Sequence, residues 1–253
     1  MKKTKIFKRI VECLNYIRLP GIKDILEAGI HQAEKEEMSY AAFLLHLLEH
    51  ECDVRKNRKI QRLQKASRVP KDKRLDNFNM KRLPLKVRQK ASAILDGTFI
   101  DRRENILAFG QPGAGKTHLL CAIAHEQIKK GRKVFFTTCS ILVQRLLSAR
   151  ENLQLEKELK KLSRFELILI DDIGYVQQNR DEMGVLFTFL ADRYERGSLM
   201  ISSNLPFSEW DNIFKDPMTT AAAIDRLVHH SIIFEMNLIS YRAEEALSKK
   251  KGE

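Results

Sequence analysis

Apolar residues recur at helical spacing in the first third of the chain and change pattern near Asn105. Ile22, Ile25, Leu26 and Ile30 share one helical face, preceded by the stop Pro20-Gly21. Ser39 is suited to cap a helix over 40–51, whose Phe43, Leu44, Leu47 and Leu48 make an apolar stripe. These segments, to about Val54, predict helices around a small core. A further helix is expected from Arg55 to about Ser67, halted near Pro70. Leu75, Phe78, Met80 and Leu83 then form an apolar patch before Pro84, as in a connector docked on the next domain.

From Asn105 onward, short apolar runs alternate with longer amphipathic stretches. Residues 106–109 predict a buried strand, followed by a glycine-rich loop and an apolar helix from Thr117 to about Lys130. After Gly131, residues 133–138 predict a second strand, and Ile141, Leu142, Leu146 and Leu147 mark the next helix. The run 167–170 ends in Asp171-Asp172, and 199–203 and 232–234 are further strands. Alternation of this kind predicts a parallel sheet covered on both faces, with ligand beyond the carboxyl ends of its strands.

Charge sharpens this division. Residues 1–54 hold 8 basic and 9 acidic side chains, and residues 91–253 hold 22 of each. Residues 55–90 hold 15 Lys and Arg against only Asp72 and Asp76, so the whole excess of +12 sits in one segment. Such a strip suits a phosphate backbone, and with Phe78 its only aromatic it suits weakly sequence-specific binding. Ten of its cations are the DNA candidates: Arg55, Lys56, Arg58, Lys59, Arg62, Lys65, Arg68, Lys71, Lys73 and Arg74. No run of 18 apolar residues is present and no signal peptide is legible, which predicts a cytoplasmic protein with no membrane span. Cys13, Cys52, Cys121 and Cys139 lack any CxxC pairing and read as reduced core thiols.

Chemistry concentrates at the predicted strand ends. Gly110-Gln111-Pro112-Gly113-Ala114-Gly115-Lys116-Thr117 fulfils G-x-x-x-x-G-K-[ST] between a strand and a helix, with His118 adjoining. Its glycines let backbone N–H groups turn inward onto phosphate oxygens, and the helix start adds its positive dipole end. Lys116 is assigned to the β and γ phosphates of ATP, and Thr117 with Asp171 to Mg²⁺. Asp172 is the candidate general base. Asn204, in Ser202-Ser203-Asn204-Leu205-Pro206, is the candidate for orienting the attacking water, a turn role before Pro206 being the alternative. Arg226 and Arg242 are candidate cations for the γ phosphate, against ordinary surface ion pairs. His118 and His229-His230 have no metal-ligand spacing.

These motifs, in this order, resemble the AAA+ ATPases of the initiator and helicase-loader branch. More narrowly, the run 39–78 and the segments 105–118, 167–174, 202–210, 225–227 and 240–242 are similar to IstB-like proteins, ATP-dependent helpers of bacterial insertion sequences. The resemblance implies an α/β P-loop core of three layers, αβα, with a parallel five-stranded sheet. The helical pattern of the first segments adds a small all-α N-terminal domain, and with few residues after Arg242 no substantial C-terminal lid is expected. The expected division is a helical N-terminal domain with the basic segment over 1–70, a basic connector over 71–104, the core over 105–245 and a basic flexible tail over 246–253. Arg226 would match an arginine finger acting on a neighbour's ATP, and Arg242 a second sensor. Arg145, Arg150, Lys157, Lys160 and Lys161 lie where this branch inserts a DNA-facing element. The implied function is ATP-dependent assembly on duplex DNA as a homo-oligomer that recruits or stimulates a partner transposase. A DnaC-type helicase loader and a non-hydrolysing nucleotide-gated scaffold stand as alternatives.

Overall fold

The computed structural model describes residues 2–174, 180–210, 217–229, 231–236 and 238. Contact density divides the chain into two compact units, 1–62 and 63–253.

The first unit is helical. Helix α1 (Lys2–Tyr16) and helix α2 (Pro20–Lys35) pack with the first part of α3 (Tyr40–Ser67). Leu14, Ile22, Leu26 and Leu47 form the buried centre, flanked by Phe7, Val11, Ile25, Ile30 and Phe43. Ser39 caps α3 by accepting the Ala42 N–H at 3.2 Å. Where two helices were expected over 40–51 and 55–67, the structure has one. Nothing between Cys52 and Arg55 breaks a helix, so propagation continues at one hydrogen bond per residue.

Glu51 does for α2 what its own first residues cannot. Pro20 occupies the first turn, and no side chain of that segment caps it. From thirty residues away, one Glu51 carboxylate oxygen accepts the N–H groups of Gly21 at 2.6 Å and Ile22 at 3.2 Å. Its other oxygen takes Arg55 Nε at 2.7 Å. Burial pushes the Glu51 carboxyl up, but these hydrogen bonds and the Arg55 charge outweigh it and leave the group below its ordinary value.

In the second unit, single 3-10 turns at Leu75–Asn77 and Met80–Arg82 lead into α4 (Leu85–Ala93) and α5 (Thr98–Asp101). Five strands follow, β1 (Asn105–Phe109), β2 (Val134–Thr138), β3 (Leu167–Asp171), β4 (Ser198–Ser203) and β5 (Ser231–Glu235). They form one all-parallel sheet in the order β2-β3-β4-β1-β5. Helix α6 (Lys116–Lys129) packs against β1, β2, β3 and β4. The other face carries α7 (Cys139–Glu151) and α9 (Arg180–Arg193). Helix α8 (Leu155–Leu162) packs on α7, and α10 (Pro217–Val228) on α9. Because side chains alternate across a strand, Ile168 and Ile170 of β3 face the α7–α9 layer together with Leu199 and Ile201 of β4. A sheet covered on both faces explains why its strands read as continuous apolar runs.

This order matters for function. Strand β4 lies between β3 and β1, so its last residues sit between the strand that feeds the glycine-rich loop and the strand that ends in two aspartates. At the opposite end, buried Arg193 donates to the carbonyls of Phe165, Glu166 and Ser198, tying the beginnings of β3 and β4 together. Burial pushes its guanidinium down to about 10.

Candidate functional site

The glycine-rich loop leaves β1 and returns as α6. Gly110 (φ 152°) passes directly against the Met236 carbonyl, where a Cβ would collide, and Gly115 (φ 91°) turns the chain into the helix. Neither conformation suits an L side chain, so the glycine spacing is a backbone requirement. Lys116 is buried, and its ammonium donates to the carbonyls of Gly110 at 2.6 Å and Gln111 at 3.0 Å. The cation is thus held over its own loop, at the place where phosphate oxygens would gather.

Opposite the loop, Thr117 Oγ1 donates to Asp171 Oδ1 at 2.7 Å, bringing together residues 54 positions apart at the carboxyl edge of the sheet. Ser202 Oγ donates to the same oxygen at 2.6 Å and accepts the Asp172 N–H at 2.9 Å. The Thr117 hydroxyl and the Asp171 carboxylate are hard oxygen donors of the kind Mg²⁺ takes, and the pair fits that ion. Asp172 adopts the left-handed conformation (φ 57°), which Asp tolerates better than most residues, and the chain turns there away from the strand.

A cavity of about 570 Å³ opens beside the loop. Of the candidate site residues, Pro112 to His118, Asp172 and Asn204 line it, whereas Gly110, Gln111 and Asp171 do not. The Asn204 Oδ1 atom is buried and has no hydrogen-bond partner among the described residues. Its position is set by the turn after β4, where Ser203 Oγ bonds both the N–H and the carbonyl of Leu205, and Trp210 Nε1 donates to the same carbonyl at 3.2 Å.

The opposite wall comes from the connector. Asp72, Lys73, Asn77, Phe78, Asn79, Arg82 and Leu83 line the cavity. Phe78 stands 5.1 Å from the His118 ring, centroid to centroid, and a Cβ on Gly115 would touch it. His118 meets the Arg74 carbonyl at 3.1 Å, and His125, two turns on, meets the Pro70 carbonyl at 2.9 Å. The P-loop helix thus carries the connector along one side, and His118 holds protein backbone. In the sequence, Leu75, Phe78, Met80 and Leu83 read only as an apolar docking patch. The signal available was Phe78 itself, the lone aromatic of the basic segment.

The remaining candidates separate. Arg226 lies on α10, and Arg242 falls outside the described residues, as does the 246–253 tail. Among the basic residues, Lys56, Arg58, Lys59, Arg62, Lys65 and Lys71 are exposed. Arg55 is engaged with Glu51 and with the Arg18 carbonyl, Arg68 lies over the Phe135 ring at 5.7 Å, Arg74 bonds the Lys71 carbonyl, and Lys73 lines the cavity. Of the cations between β2 and β3, Arg145 and Lys161 pair with Glu158, and Arg150 with Asp181, leaving Lys157 and Lys160 exposed and outside these pairs. All four cysteines are free, but only Cys121 and Cys139 are core thiols; Cys13 and Cys52 are exposed because they fall on the outer faces of α1 and α3. Burial pushes the Cys121 thiol up to about 12, so it stays protonated. Among the described residues, no cluster of three or more His, Cys, Asp and Glu side chains suited to hold a metal is found, and no helix is long and apolar enough to cross a membrane.

Known proteins share this fold. A DnaA from Aquifex aeolicus, solved with AMPPCP, superposes with a TM-score of 0.57 at 18% identity, covering 74% of this chain and 57% of its own. The DnaC helicase loader superposes at 0.55 and 17% identity, covering 66% and 98%. These likenesses show the P-loop AAA+ fold. In sequence, an insertion-sequence ATP-binding protein of Sinorhizobium fredii is 43% identical over 239 residues, 94% of this chain and 80% of the relative. The IS5376 ATP-binding protein of Geobacillus stearothermophilus is 37% identical over 238 residues, 94% and 95%. The sequence profile described as IstB-like ATP binding protein matches residues 13–249, and with these relatives it shows that the chain belongs to the IstB-like ATP-binding protein family.

Proposed function

We propose that this protein is a DNA-dependent ATPase of transposition, which assembles on duplex DNA with ATP bound and recruits or stimulates a transposase. Hydrolysis then resets the complex. The observation that carries the reading is the convergence of Lys116, Thr117, Asp171, Asp172 and Asn204 at the carboxyl edge of the sheet. The insertion-sequence names of relatives 37–43% identical supply its setting.

In this reading the loop N–H groups and Lys116 take the β and γ phosphates. Thr117 and Asp171 would hold Mg²⁺, which would supply positive charge beside the phosphate oxygens. The Asp172 carboxylate accepts the proton of the attacking water, and Asn204 Oδ1, which lacks a donor among the described residues, accepts a hydrogen bond from the same water and so orients it. Arg226 from a neighbouring copy and Arg242 stabilise the transferred phosphoryl group, and a trans arginine is worth roughly 10³–10⁵ in rate. Turnover then requires assembly. The exposed cations of α3 follow the DNA backbone, and the work is done in the cytoplasm.

ATPase rates with and without duplex DNA, at two salt concentrations, test the reading. Asp172→Asn should keep ATP binding and assembly while losing turnover by about 10²-fold or more. A wild-type protein that assembles with ATP but never hydrolyses it would establish the nucleotide-gated scaffold instead. Preference for single strands and for a hexameric helicase would establish the loader.

A further inference from the structure

Ser202 makes contacts that no part of the nucleotide-site motifs calls for. It is fully buried at the end of β4, between the strands that carry the loop and the aspartates. Its one hydroxyl proton goes to Asp171 Oδ1 at 2.6 Å, and its oxygen accepts the N–H of Asp172 at 2.9 Å. Its own carbonyl accepts the N–H of Ile173 at 3.1 Å. One side chain therefore touches both aspartates, and its backbone holds the residue after them.

The ladder explains why this falls to β4. Pairing of β3 with β4 ends at Ile170 and Ile201, so Asp171 and Asp172 lie just past the last regular bonds between these strands. On its other side Ser202 stands opposite Ala108 of β1, and the Ser203 carbonyl accepts the Gly110 N–H at 3.3 Å. The end of β4 is thus the shared reference against which loop and aspartates are both placed. Asp172 needs such a hold, because its left-handed backbone is not set by strand pairing.

We infer that Ser202 is a positioning residue for the Mg²⁺–ATP site, orienting the Asp171 carboxylate and fixing the backbone of Asp172. The inference rests on the hydrolytic reading above only for its effect on turnover; its effect on metal-assisted binding is separate. Serine is suited to the task because it donates and accepts through one atom on a short stem. Loss of a hydrogen-bond partner behind a metal ligand typically costs about 10–100-fold in metal affinity or activity.

The test is titration of a fluorescent ATP analogue into the full chain, in EDTA and in Mg²⁺, alongside ATPase rates. Ser202→Ala should bind the analogue in EDTA within about twofold of wild type, lose about tenfold or more of the affinity gained with Mg²⁺, and lose turnover by about 10–100-fold. Ser202→Cys, which is slightly larger and a weaker donor, should fall between, and it serves if the alanine variant does not fold. Ser198→Ala is the control: an equally buried serine at the other end of β4, bonded to the Phe99 carbonyl, whose loss should leave the Mg²⁺ gain intact. An unchanged Mg²⁺ gain in both Ser202 variants would overturn the inference. Equal weakening in EDTA and Mg²⁺ would also overturn it, by showing a purely structural role. If wild type gains affinity with Mg²⁺ but hydrolyses nothing, the ATPase reading fails while Ser202 is still tested by binding.

Discussion

Lys116→Ala is the perturbation on which the coupling of nucleotide to assembly turns. The side chain is buried and makes two short hydrogen bonds, to the carbonyls of Gly110 and Gln111. With ATP bound, the same ammonium would exchange these for phosphate oxygens, which carry full charge. Hydrogen bonds to charged groups are worth about 1.5–3 kcal/mol each, so two of them come to roughly 3–6 kcal/mol. At about 1.4 kcal/mol per decade, that predicts ATP binding weaker by about 10²–10⁴-fold. The unbound fold should change little, because Gly110 is only half-buried and Gln111 is exposed, so water can reach the freed carbonyls. Circular dichroism melts check that point, fluorescence titration of labelled ATP gives the affinity, and light scattering or gel shift on duplex DNA gives assembly. Binding and ATP-dependent assembly should disappear together. Assembly that survives in a folded variant unable to bind ATP would refute the coupling, and binding within tenfold of wild type would refute the role given to Lys116.

Two further predictions concern the first unit and the basic helix. Glu51→Gln replaces a carboxylate that accepts two N–H groups at the start of α2, and should lower the stability of the first unit by about 1–3 kcal/mol in thermal or urea melts. Since the folded-state pKa of Glu51 is lowered, its contribution is present above the ordinary carboxylate value of about 4.3 and is lost as pH falls below it, through the folded pKa. The variant should therefore flatten the acid limb of the stability curve, and an unchanged limb would count against the non-local cap. On α3, Arg58 and Arg62 are exposed and stand four residues apart, which places them on one helix face. Neutralising both together should weaken binding to every duplex alike and reduce the log–log salt slope by about 2. Loss confined to one DNA sequence would contradict backbone contact.

Much of the site is legible from the chain because its requirements are local. A phosphate-binding loop needs glycines where the backbone turns with positive φ, and Gly110, Gly113 and Gly115 stand at such positions. Strands buried on both faces must be apolar throughout, so β3 and its terminal aspartates can be read directly. Helix periodicity and the Ser39 cap are local as well. Reading failed where a local pattern left the continuation open. The break expected near Val54 was inferred from a change of composition, but helical hydrogen bonding does not depend on charge, and α3 runs through it.

What tertiary structure decided is which distant residues share a space. Strand order β2-β3-β4-β1-β5 cannot be read from periodicity, yet it sets Ser202 between Asp171 and the loop. It also makes Ser202, one of two adjacent serines with nothing to distinguish them in sequence, the one that meets both aspartates. Connector residues Asn77, Phe78 and Arg82 became a wall of the cavity beside the loop only because α6 holds Pro70 and Arg74 along its side through His125 and His118. Several cations of the basic segment, alike in sequence, were divided by packing into those that pair or line the cavity and those left to solvent. The difference is physical: spacing along a chain fixes what a backbone can do, while burial and hydrogen-bond partners depend on which elements the sheet brings together.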